Sequence, residues 1–101
     1  TVEDDISGLV YRMGKNQDKI RTLAGELQRL ENDIRRARQA RVAGRRLVTE
    51  DKLAEYVSEA WKCRMGLIEA RAAVNKAILK LEAIAGALGE RSWRNAGGGR
   101  G

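Results

Sequence analysis

From Ile6 to Ala37 the apolar residues recur at alternating steps of three and four, through Leu9, Met13, Ile20, Leu23, Leu27, Leu30 and Ile34. Asn16 is the one polar member of the series. This is the heptad of an amphipathic helix whose seam has to be covered by another helix. Asn16 either fixes the register of that pairing or is a tolerated polar site. The flanking charges disfavour a parallel dimer, because Glu26 and Glu31 would then oppose each other across the seam while only Asp33 and Arg38 would pair favourably. An antiparallel partner or a higher oligomer suits the charges better.

The heptad weakens at Val42-Ala43-Gly44, where Gly44 is expected to take the left-handed conformation that closes a helix. Cations at positions 41, 45 and 46 suit the negative end of the helix dipole. Thr49 is expected to cap a second helix, with Glu50 and Asp51 in its first turn and Val48 and Leu53 at the spacing of a hydrophobic staple. Along that helix Leu53, Val57, Ala60, Leu67, Val74, Ile78, Leu81 and Leu88 form one apolar set, interrupted by Arg64 and Arg71. Trp61, Met65, Ile68, Ala72 and Leu79 form a second stripe beside it, and a face so wide is able to contact two neighbours.

The expected fold is therefore all-α, with two long amphipathic helices in a helical hairpin or coiled coil, assembled as an oligomer. One domain spans residues 1–90, with a helix over about 4–43, a turn at 44–49 and a helix over about 50–89. A nearly continuous rod bent at Gly44 is the alternative. Each helix would span roughly 60 Å at ~1.5 Å per residue. Two helices side by side bury little surface for their length, so self-association is the usual remedy. Its expected contacts are Ile20, Leu23, Leu27, Leu30, Ile34, Trp61 and Ile68. Residues 91–101 are a basic, Gly-rich tail, expected to be disordered when alone.

Composition removes most chemistry. The chain has no His and one Cys, so it lacks a triad, a histidine base and a zinc ligand set. The glycines at 97–99 lack the Lys-Ser/Thr of a P-loop. Glu55 and Glu59, one turn apart, are better explained as a solvated acidic face than as a cation site. The expectation is a non-enzymatic protein with no cofactor and no catalytic or metal-binding residue. Lone Cys63 suits a reducing compartment, and the absence of an apolar run near eighteen residues argues against a membrane partner.

Charge carries the functional information. Residues 1–34 hold five basic and seven acidic side chains and residues 47–90 hold six and seven, whereas 35–46 hold six arginines and no acid. The formal charge of +6 is thus concentrated at one helix end and in the tail. A field focused in this way attracts a polyanion. Arg35, Arg38, Arg41 and Arg45 fall at helical spacing, Arg36 and Arg46 complete the block, and guanidinium groups bind phosphate bidentately. The competing explanation is an ion-pair network with Glu50, Asp51, Glu55 and Glu59, in one chain or between chains. In the tail, Arg94 and Arg100 extend the candidate nucleic-acid-binding set, and Trp93 is a candidate for docking onto a partner protein or stacking on a base.

The segment from Ile34 to about Leu79 resembles the middle of bacteriophage terminase small subunits. It has an Arg/Ala-rich helix end, then Gly44-Arg45-Arg46-Leu47-Val48-Thr49-Glu50-Asp51-Lys52-Leu53, then a helix carrying Trp61, Arg64 and Met65. Where that family carries a compact helix-turn-helix domain, residues 1–33 here continue the heptad. The resemblance implies a non-catalytic homo-oligomer, often a ring, that recognises double-stranded viral DNA and works with other phage packaging or assembly proteins. It implies a location in the host cytoplasm or the virion. Small helical proteins with basic tails also serve as structural parts of phage particles.

Overall fold

The computed structural model describes the backbone of residues 1–98 and the side chains of residues 1–89. Two helices account for almost all of it, α1 over Val2–Val42 and α2 over Glu50–Gly98, with no strand among the described residues. Both ends of the turn between them are built from local hydrogen bonds that the sequence anticipates. At the end of α1 the Gly44 N–H donates to the Arg41 carbonyl (3.0 Å) and the Arg45 N–H to the Ala40 carbonyl. That pair of bonds satisfies carbonyls a helix leaves open, and it requires Gly44 at φ 77°. Thr49 Oγ1 accepts the Lys52 N–H at 3.1 Å and caps α2. Val48 and Leu53 are half-buried together beside Ala37, as a staple requires. Thr49→Ala should lower stability by about 1 kcal/mol, and Gly44→Ala by a similar amount, both read from the thermal midpoint.

The helices lie antiparallel. Arg41 near the end of α1 pairs with Glu50 at the start of α2, Glu31 pairs with Arg64 at 3.1 Å, and Asp5 and Leu9 near the start of α1 share a surface with Ile84. The resulting rod measures 83 × 21 × 14 Å with a radius of gyration of 23.1 Å, against about 13 Å for a compact chain of this length. Its accessible surface is 7954 Å², where a compact monomer of that mass exposes about 5,700 Å².

The α1 side of the contact follows the heptad. Leu30, Ile34 and Ala37 are buried, and Ile6, Leu9, Met13, Ile20, Leu23 and Leu27 are half-buried along the same line. Asn16 donates its side-chain N–H to the Arg12 carbonyl of its own helix at 3.0 Å, so it is a tolerated polar site in the seam rather than a cross-helix lock.

The α2 side differs from expectation. The residues facing α1 are Leu53, Tyr56, Ala60, Cys63, Leu67, Ala70, Val74, Ala77, Leu81 and Ile84, all buried or half-buried and alternating at steps of three and four. Val57, Ile78 and Leu88, expected in that set by their spacing, are 42%, 37% and 42% exposed. The seam steps past Arg64 and Arg71 by using Cys63 and Ala70. Small side chains win these places because α1 supplies the large ones: Leu30 fills the space beside Ala60 and Cys63, and Leu23 lies against Gly66. A Cβ at position 66 would meet Leu23 Cδ1 at 2.9 Å. Ile20, Leu23, Leu27, Leu30 and Ile34, expected between chains, therefore lie between the two helices of one chain.

The second helix also runs to Gly98, through the segment expected as a disordered tail. No proline interrupts it. Residues 99–101 lie outside the described residues.

Cys63 is 7% exposed in this seam. Burial pushes its thiol above the ordinary 9.0, the Glu26 and Glu59 carboxylates add to the shift, and Arg29 opposes it. A thiol reagent should modify it at least about tenfold more slowly in the folded chain than in denaturant. Because the folded state holds this proton more tightly, its contribution to stability is present below the ordinary thiol pKa and is lost as pH rises above it.

Candidate nucleic-acid interface

Antiparallel pairing brings the arginine block to one end of the rod, around the turn. Arg35, Arg36, Arg38, Arg41, Arg45 and Arg46 are all exposed. Their surroundings separate them. Arg35 donates to Asn32 Oδ1, one turn back on α1. Arg41 pairs with Glu50 across the turn, which is the one expected partnership with α2 that forms. Of the other acids expected to neutralise the block, Glu55 is engaged by Lys52 at 3.1 Å, and Asp51 and Glu59 form no ion pair among the described residues. Arg36, Arg38, Arg45 and Arg46 are likewise unpaired there.

The arginines do not occupy one line. Arg35 and Arg38 border a groove with Val57 and Arg64, Arg38 and Arg41 border a second with Leu53 and Trp61, and Arg41, Arg45 and Arg46 surround the staple. These grooves adjoin one another from the side of the rod over its tip, and the acids that line them, Glu31 and Glu50, are paired with Arg64 and Arg41. Arg36 lies about 160° round α1 from Arg38, at ~100° per residue, and presents its charge on the opposite side. A polyanion laid over the tip would meet both sides.

Two residues of this surface were not in the sequence-derived set. Arg64 joins the groove of Arg35 and Arg38 through its bond to Glu31. Trp61, expected at an oligomer contact, is 60% exposed and shares the groove of Arg38 and Arg41. The signal for both was available in the α2 heptad, once Ala60 and Cys63 are placed on the seam. The side chains of Trp93 and Arg94, and all of Arg100, lie outside the described residues.

Among the described residues no group of three or more His, Cys, Asp or Glu is placed to hold a metal ion, and no helix is long and apolar enough to cross a membrane. No family model, curated protein or solved structure matches the chain.

Proposed function

We propose that this chain is a non-enzymatic, oligomeric, phage-type DNA-packaging or virion-assembly protein that contacts nucleic acid through the arginine cluster at its turn. The observation that carries the proposal is the set of four exposed guanidinium groups, Arg36, Arg38, Arg45 and Arg46, with neither an ion pair nor a side-chain hydrogen bond among the described residues. Four unneutralised cations crowded at one rod end repel one another, and a bound phosphate backbone relieves that repulsion while releasing counterions. The large exposed surface and the open apolar stripe of α2 support assembly into an oligomer. The family resemblance of residues 34–79 supports the packaging context.

A second reading is a coiled-coil protein–protein scaffold or adaptor, a structural virion component, whose arginines form ion pairs between helices. Arg41 with Glu50 and Arg64 with Glu31 favour it. It accounts for one of the six arginines in the block. Fluorescence anisotropy of a short labelled duplex titrated with the purified chain separates the two. Saturable binding at moderate salt is expected for the first, and no binding at any salt would leave the scaffold.

A further inference from the structure

Opposite its contact with α1, the second helix carries a stripe that nothing in the single chain covers. Trp61, Met65, Ile68 and Leu79 are 60%, 38%, 58% and 65% exposed, with Ala72 between them. Their steps of four, three, four and seven are those of a second helical seam. Along one border run Glu55, Lys62, Glu69 and Lys76, all exposed, seven residues apart and alternating in sign. Lys62, Glu69 and Lys76 form no ion pair among the described residues, and Glu55 is held only by Lys52 on its own surface. The other border carries Arg64, already neutralised by Glu31, and Arg71.

The alternating row is self-complementary under one symmetry. If a second copy packs its α2 antiparallel on this stripe, with the two-fold axis between residues 65 and 66, then Glu55 meets Lys76 of the other copy and Lys62 meets its Glu69. The symmetry repeats both pairs, so four unlike pairs form and no like pair does. In a parallel pair the row would lie across the other border, against Arg64 and Arg71, so only the antiparallel arrangement brings the row onto its own copy. Met65 and its copy then lie at the axis, with Trp61 and Ile68 on either side. We infer that the stripe from Trp61 to Ala72 is an isologous interface, and that its occupant is α2 of a second copy of this chain, in antiparallel orientation. This rests on the oligomeric part of the proposed function and supplies its geometry. It also has a consequence for nucleic acid. Residue 50 of one copy lies level with residue 81 of the other, so the two arginine-bearing turns sit about 45 Å apart along the pair at ~1.5 Å per residue, each beside the second helix of the other copy. The assembly would hold DNA at two points.

The test uses two full-length charge variants and sedimentation equilibrium at low salt, with far-UV circular dichroism to confirm helix content. Lys62→Glu with Lys76→Glu makes the row wholly acidic, and Glu55→Lys with Glu69→Lys makes it wholly basic. Each variant alone is expected to self-associate on the order of 30-fold more weakly than the native chain, and an equimolar mixture to recover native association. Unchanged self-association of both variants would overturn the inferred face while leaving an oligomer through another surface. A native chain that stays monomeric at every concentration would overturn both the face and the oligomeric reading.

Discussion

Leu30→Asp is expected to abolish the hairpin at room temperature, seen as loss of most of the helical circular dichroism. Leu30 is 1% exposed and is the one large side chain that is fully buried among the described residues. It packs in the cluster formed with Ile34, Ala60 and Cys63. Truncating such a residue to Ala costs ~2–5 kcal/mol, and a carboxylate in the same place adds desolvation with no cation to pair it. A chain of this length has about 5–15 kcal/mol of stability in all, and a two-helix rod with a narrow seam belongs at the low end of that range. α1 has no other surface to fall back on, because it has a single seam. Val42→Gln, at a site 91% exposed on the same helix, should leave the spectrum unchanged. A folded Leu30→Asp protein would mean that the helices do not depend on their mutual contact.

Replacing Arg36, Arg38, Arg45 and Arg46 together by Gln should weaken duplex binding about 10³-fold at ~0.1 M salt, since each lost phosphate contact removes ~0.9 of a power of the salt concentration. Helix content and the sedimentation mass should stay native, because none of the four is paired or buried. Arg41→Gln alone should behave differently. It frees Glu50 near the cluster, so it removes a cation, leaves an unpaired anion and loosens the turn. A quadruple variant that binds as the native chain does would assign the block to solubility alone.

How far these features were legible in the sequence depends on how much competition each residue faced. In α1 the large aliphatics lie on one stripe and nothing else is apolar enough to compete, so the seam from Leu9 to Ile34 was readable from spacing. Gly44 and Thr49 were readable for a different reason: a helix end needs specific local hydrogen bonds, and few residue types supply them. In α2 two apolar stripes compete for α1. The spacing read through Arg64 and Arg71 selected Val57, Ile78 and Leu88, whereas close packing against the leucines of α1 selected Cys63, Ala70 and Ala77, one position away. Hydropathy cannot settle that choice, since it depends on the partner's shape. The same competition hid that Trp61, on the outer stripe, also borders the groove of Arg38 and Arg41. At the far end, glycine content suggested an early stop, but without proline or a cap the α2 backbone continues to Gly98.

The charge pattern was legible as a total and less so as pairs. That six arginines concentrate around the turn follows from sequence, whereas the sequence offered four acids as partners without matching any of them to an arginine, and the structure pairs Arg41 with Glu50. Which acids stay out of reach does not follow. Glu55 lies nearest Lys52, one turn away on its own helix, and the local pair forms at the expense of a longer reach to the block.

The most direct test of DNA contact is the affinity of the native chain for a short labelled duplex across a salt series. Four arginines engaging phosphate predict a slope of log affinity against log salt near about −3.6, and all six predict about −5.4. A slope in that range that collapses in the quadruple Gln variant supports contact through the cluster. Absence of binding at the lowest salt, or a slope near zero, would contradict it and leave the arginines to protein contacts.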